Sequence, residues 1–167
     1  MKKRVTLIIV AIVVIAVVIL LFHDNEEYKS LRKSNVPLKI SDEFTGFRDF
    51  KIKDDKVFFY CTIALRNTGD KKMKIKIIGD FRIEKERGLI KENYLVGYNP
   101  NYPTIEEFYL FPKGSKSKDG KTINSGVMEF PLEFCGTHAG TETKFDRLLP
   151  PLIIEVDGEK YRWIRDS

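Results

Sequence analysis

The residues able to do chemistry are few and scattered. His23 and His138 are the only histidines in the 167-residue chain, and Cys61 and Cys135 the only cysteines. A zinc site takes three or four ligands at close Cys/His spacing. No such spacing occurs, so neither a metal nor another cofactor is expected. A hydrolytic triad would have to use His138, in the loop Gly136-Thr137-His138-Ala139-Gly140, with Ser115, Ser117 or Ser125 as nucleophile. None of these serines occupies the strained Gly-x-Ser-x-Gly elbow that presents a nucleophile. The acidic pairs Asp54-Asp55 and Glu106-Glu107 are consecutive, and consecutive strand residues point to opposite faces. Neither pair alone makes a two-carboxylate acid/base site, and Asp54-Asp55 reads as a turn.

Binding chemistry is better represented. Tyr94, Tyr98, Tyr102 and Tyr109, with Phe108, fall within one short stretch, and tyrosine is enriched at contact surfaces. The same rings would equally serve to plug the open end of a β domain. Lysines 113, 116, 118 and 121 share one polar loop with Asp119, which reads as a solvated loop tip or as a salt-sensitive contact with anionic lipid or wall polymer. Cys61 and Cys135 are a candidate disulfide that would close a long loop, worth roughly 4 kcal/mol on the chain-entropy account. The alternative is two thiols packed as small apolar residues. Cys135 is out of phase with Phe134, the last inward residue of its strand, and this disfavours the bond.

The elements that must position these residues follow from a period of two. Val57, Phe59, Cys61, Ile63 and Leu65 fall on one face of a strand that ends at the turn Asn67-Thr68-Gly69-Asp70. Met73, Ile75, Ile77, Phe81 and Ile83 alternate with lysines and acids in the next run, with Gly79 expected at a bulge or bend. Residues 86 to 98 fit neither period and read as a loop or short strand, followed by the surface connection Asn99-Pro100-Asn101-Tyr102-Pro103. Glu107 to Phe111 is a short strand. Met128, Phe130, Leu132 and Phe134 mark another, with Pro131 signalling an edge or bulge. Leu152, Ile154 and Val156 turn at Asp157-Gly158 into a hairpin partner, Glu159 to Ile164, over which Trp163 is expected to pack. Seven or eight strands with little amphipathic helix predict an all-β domain, an immunoglobulin-like antiparallel β-sandwich, with a small barrel as competitor.

The N-terminus places that domain. Met1-Lys2-Lys3-Arg4 precedes Val5 to Phe22, a run whose only polar side chain is Thr6. At about 1.5 Å per residue such a run spans roughly 27 Å as a helix, close to the hydrocarbon thickness of a bilayer. The basic tail fixes the N-terminus in the cytoplasm and sends the rest out. The apolar core is too long for a cleaved signal and lacks a small-residue cleavage site, so a single N-terminal transmembrane helix acting as signal-anchor is expected. Residues 23–35 read as a juxtamembrane linker and 36–167 as the extracytoplasmic domain. Removing Lys2, Lys3 and Arg4 from the 29 basic residues leaves 26 against 24 acidic, which offers no nucleic-acid footprint.

Three stretches look familiar together: Leu65-Arg66-Asn67-Thr68-Gly69-Asp70, Leu110-Phe111-Pro112-Lys113-Gly114, and Lys144-Phe145-Asp146-Arg147-Leu148-Leu149-Pro150. With the apolar N-terminus, the chain resembles small membrane-anchored proteins of Gram-positive bacteria that carry one extracellular immunoglobulin-like domain. The resemblance implies a location and a fold but no activity, cofactor or ligand set. Arg147 has its own physical reading, as a tether for loop carbonyls. The expectation is a non-enzymatic binding module at the cell membrane, meeting an envelope protein or polymer and no nucleic acid. The alternatives are an envelope hydrolase or transferase using the Gly136–Gly140 loop and a structural subunit of a membrane complex.

Overall fold

The computed structural model describes residues 28–124, 126–145 and 148–165. The apolar run 5–22, His23, Ser125, Asp146 and Arg147 therefore lie outside the described residues. Among the described residues no helix is long and apolar enough to cross a membrane.

The strands are β1 (Lys29–Ser30), β2 (Leu38–Ile40), β3 (Gly46–Lys53), β4 (Lys56–Asn67), β5 (Met73–Asp80), β6 (Tyr94–Tyr98), β7 (Glu107–Leu110), β8 (Met128–Thr137), β9 (Leu152–Val156) and β10 (Glu159–Trp163). One short helix, α1 (Arg82–Glu86), and a 3-10 turn at Leu31–Lys33 complete the order. The all-β expectation holds. The strands form one curled sheet in the order β1-β10-β9-β5-β6-β8-β4-β2, with β3 also on β4 and β7 also on β5. The sheet is mixed rather than wholly antiparallel, because β1 runs parallel to β10.

Two long strands organise the sheet. β4 takes β8 along one side and β2 and β3 in succession along the other. β5 takes β9 along one side and β6 and β7 in succession along the other. Val57, Phe59, Cys61, Ile63 and Leu65 are all buried, as their alternation requires, and join Ile75, Ile77, Phe134, Ile154 and Trp163 in one core. Burial of each such side chain contributes about 1.5–3 kcal/mol. Turn chemistry is local and legible: Asp54 and Asp55 both adopt positive φ (51° and 59°) between Lys53 and Lys56, as do Asp157 and Gly158 (50° and 93°). These are the left-handed conformations a tight two-residue hairpin needs.

Several expectations are corrected. Gly79 is not a bulge: it pairs in register with Leu95 and Leu152. A Cβ there would lie 2.4 Å from the Phe81 ring, so the position is kept small to let that ring fold back over the strand. Ile83 is not in the core but 53% exposed on α1, because the chain leaves the strand at Asp80 and the period of two no longer applies. Trp163 is buried in the core, 2% exposed, beneath the Arg32 guanidinium. The segment assigned to a linker, 23–35, already belongs to the domain from Tyr28 onward: Lys29 and Ser30 pair with Tyr161 and Arg162, and Leu31 is buried at 4%. Polar composition hid this, since a single anchoring leucine leaves no periodic signal.

Candidate functional site

β6 is the strand that closes the sheet, and it is short. Residues Tyr94–Val96 pair with Asp80–Ile78 of β5, whereas Gly97 and Tyr98 pair with Phe134 and Glu133 of β8. The chain then turns away. Asn99 and Tyr102 bridge, the Tyr102 N–H donating to the Asn99 carbonyl at 2.8 Å, and Asn99 Oδ1 accepts the Asn101 N–H at 2.9 Å. The strand therefore ends before it can cover the first half of β8. β7 pairs only with β5, and among the described residues no strand pairing joins β7 to β8.

The result is a seam between β7 and the Met128–Leu132 half of β8. Its floor is a stacked pair, Phe108 and Phe130, with ring centroids 4.4 Å apart and planes inclined by 28°. A cleft of ≈ 170 Å³ lies over it, lined by Gly97, Asn99, Tyr102, Ile105, Pro131 and Leu132 in addition to the two rings. Tyr102 and Ile105 stand at its mouth, 61% and 52% exposed. Concave, largely apolar sites with a few polar groups are what ligand clefts are made of. A larger hollow of ≈ 390 Å³, between the Gly69–Met73 turn and the β9–β10 hairpin, mixes the charged Lys71, Lys72, Asp157 and Glu159 with Val36, Met73, Val156 and Tyr161.

The tyrosines expected to form one surface are divided by the sheet. Tyr102 lines the seam cleft, whereas Tyr98 lies opposite Glu133 and is not among the residues that line it. Tyr109 lies opposite Lys74 with the Lys72 ammonium 4.6 Å from its ring centre, whereas Tyr94 lies opposite Asp80 beneath the Arg82 guanidinium. Six strand residues, roughly 20 Å at ~3.3 Å each, separate Tyr94 from Tyr109 along β5. Sequence reasoning found Phe108 but missed Ile105, Phe130 and Pro131 as its neighbours. No local signal connects them, because they meet only through the topology.

The other candidates are placed apart. Cys61 faces the core opposite Leu132, whereas Cys135 pairs with Phe58 on the other face of the same two strands. Both are free thiols, and the candidate disulfide is corrected to two separate cysteines whose side chains leave opposite faces of the sheet. Burial pushes the Cys61 thiol up to about 12 and raises Cys135 as well. His138 is half-buried and held at both ends: its N–H donates to the Asp55 carbonyl at 2.8 Å, and Nε2 lies 2.9 Å from the Glu142 carbonyl. Ser115 and Ser117 lie beyond the Met128 end of β8 and His138 beyond its Thr137 end, about 30 Å apart at ~3.3 Å per residue. Among the described residues no three His, Cys, Asp or Glu side chains gather as a metal set.

Glu106 and Glu107 do not point to opposite faces. Glu106 precedes β7, and both carboxylates reach lysines on the outer face of β5, Glu106 to Lys76 at 2.7 Å and Glu107 to Lys74. The buried polar groups are structural. Asn67 donates to the carbonyls of Lys71 (2.7 Å) and Leu110 (3.1 Å) and accepts the Gly69 N–H, joining the β4–β5 turn to β7. At the other end Asp80 is 5% exposed and accepts two bonds from the Arg82 guanidinium, at 2.8 and 2.7 Å, with Arg162 at 3.5 Å. Burial alone would raise the Asp80 carboxyl, but the arginines outweigh it and hold it below the usual carboxylate range. Comparison with known proteins finds no matching family model, no matching curated protein and no matching solved structure.

Proposed function

We propose that this chain is a non-enzymatic binding module held at the outer face of a cell membrane by residues 5–22, and that the β7–β8 seam is its contact surface. The observation that carries the reading is the open cleft itself: exposed Tyr102 and Ile105 around a stacked Phe108–Phe130 floor, at the place where the sheet fails to close. A cleft of this size takes one or two apolar side chains, so the partner is read as an envelope protein offering an extended apolar segment. Pro131 on the open half of β8 removes a backbone donor and disfavours simple strand addition, which leaves side-chain insertion as the mode. The two halves of the curled sheet, around β4 and around β5, are read as the layers of an immunoglobulin-like sandwich.

The test compares full-length chain with Tyr102→Ser/Ile105→Ser in membranes after crosslinking. Both side chains are exposed, so folding is unaffected within about 0.5 kcal/mol. Loss of one specific crosslinked protein from the double variant supports the seam. Equal recovery from both forms refutes it, and turnover of an envelope polymer by the purified chain that His138→Ala abolishes refutes the non-enzymatic reading.

A further inference from the structure

The direction of β1 says which end of the domain meets the membrane. β1 runs parallel to β10, with Lys29 beside Tyr161 and Ser30 beside Arg162, so the chain approaches Lys29 from the Glu159 end of the hairpin. Six residues, 23–28, connect the apolar run to β1, a reach of at most about 21 Å at ~3.5 Å per residue. The domain end that carries the β9–β10 turn therefore lies against the headgroups, given the anchor proposed above. The same end carries the long loop between β7 and β8, because Leu110 pairs with Met73 and Met128 with Leu65.

That loop carries a local excess of positive charge. Lys113, Lys116, Lys118 and Lys121 are all exposed and share it with one acid, Asp119. Exposed Lys71 and Lys72 stand at the same end. The acids at this end are Asp119, exposed Asp70 beside Lys71, Asp157, which accepts the Lys74 N–H at 2.9 Å, and Glu159, which accepts the Tyr161 hydroxyl, so the six lysines outnumber four acids. The opposite end is balanced, with four basic and four acidic residues between Asp80 and Glu92, and two of each in Lys53-Asp54-Asp55-Lys56. Two bonds of the buried Asn124 side chain brace the base of the loop: it donates to the Phe111 carbonyl and accepts the Gly126 N–H.

We infer that the Lys113–Lys121 loop is a lipid-docking surface, which seats the domain on anionic phospholipid headgroups and fixes its orientation over the bilayer. A lysine close to an anionic leaflet strengthens its partitioning by about fivefold, and four of them make docking strong at low salt and weak at high salt.

The experiment reconstitutes the full chain in vesicles of phosphatidylcholine alone and of phosphatidylcholine with phosphatidylglycerol, and follows acetylation of each lysine by a soluble reagent using mass spectrometry. Lys113, Lys116, Lys118 and Lys121 are expected to react about fivefold more slowly in the anionic vesicles at low salt. High salt restores their rates, and Lys53, Lys56 and Lys85 do not change. In Lys116→Glu/Lys118→Glu, Lys113 and Lys121 lose their protection. Equal rates in both vesicles, or protection of the far-end lysines, overturns the docking surface. Alkaline carbonate washing separates the two readings: a chain that stays in the vesicles with unprotected lysines loses only the docking proposal, and a chain that washes out loses the anchor and the docking with it.

Discussion

Replacing Gly79 by alanine puts the packing at the centre of the molecule to a quantitative test. Its φ is not positive, so the strand geometry accepts any residue, and a glycine-to-alanine change in such a position stabilises by about 0.4–1 kcal/mol through the unfolded chain. Opposing this, the new Cβ would lie 2.4 Å from Cε2 and 3.0 Å from Cδ2 of Phe81, and 3.3 Å from the Phe134 ring. Phe81 has little freedom to withdraw. It is fully buried, with its ring centre 4.5 Å from that of Phe59 and 5.6 Å from that of Phe134. Overpacking of a tight core costs about 1–3 kcal/mol, and this contact belongs at the upper end, so the net loss is about 2 kcal/mol. For a chain of this length that lowers Tm by roughly 4–8 °C. Urea unfolding of the full chain in detergent micelles, followed by the fluorescence of the single and buried Trp163, reads the change as a lower midpoint at constant slope. Adding Phe81→Leu should relieve the clash, so the double variant is less destabilised than the sum of the singles by about 1 kcal/mol. A neutral or stabilised Gly79→Ala, or strict additivity with Phe81→Leu, would refute the close approach on which the reasoning rests.

Three further outcomes are expected. Asp80→Asn costs about 2 kcal/mol at neutral pH, the scale of a charge-assisted bond lost at a buried group. Because the folded carboxyl is held down, its contribution is full above the unfolded value near 4 and lost as pH falls through the lower folded value; acid titration of stability should lose that limb in the variant, and parallel profiles would count against the arginine pairing. Mass and alkylation of the chain, prepared under oxidising conditions and then unfolded, should show two free thiols with and without reductant. Native Cys61 should resist alkylation far longer than Cys135, as a buried thiol near 12 must, and a reductant-dependent mass would contradict the placement on opposite faces. Leu31→Ala should cost about 2–5 kcal/mol in the same urea assay if the segment before Val36 is part of the core, and a loss below 0.5 kcal/mol would return it to a linker.

The parts of the fold that were legible share a cause. β4, the β9–β10 hairpin and the Asp54-Asp55 turn are written in neighbouring residues, as alternation or as left-handed turn chemistry, and the structure reproduces them. What escaped depends on partners far away in the chain. Leu31 is a lone apolar residue among polar and charged ones, and it joins the core beside residues distant in sequence, Trp163 among them. Gly79 carries the usual signature of a bulge, and only the return of Phe81 over it explains a glycine in an unbroken strand. The tyrosines were identified by type, but their separation was hidden, since two of them mark opposite ends of one outer strand face.

The seam shows how a locally legible signal produces a non-local consequence. Closing the sheet fully would require β6 to continue pairing with β8 beyond Tyr98, past Pro131 and toward Met128. The residues that follow Tyr98 forbid it: Pro100 and Pro103 carry no N–H for a ladder, and Asn99 supplies both the carbonyl and the side-chain acceptor of a tight turn. Reading Asn99-Pro100-Asn101-Tyr102-Pro103 as a surface connection was therefore correct and incomplete. The turn also leaves half of β8 uncovered and brings Tyr102 and Ile105 over the Phe108–Phe130 stack. From Phe108 on the cleft floor the chain runs five residues to Lys113, at most about 17 Å at ~3.3 Å each. A domain seated on that loop would hold the cleft just above the headgroups and facing sideways, the height at which it meets partners bound to the same membrane.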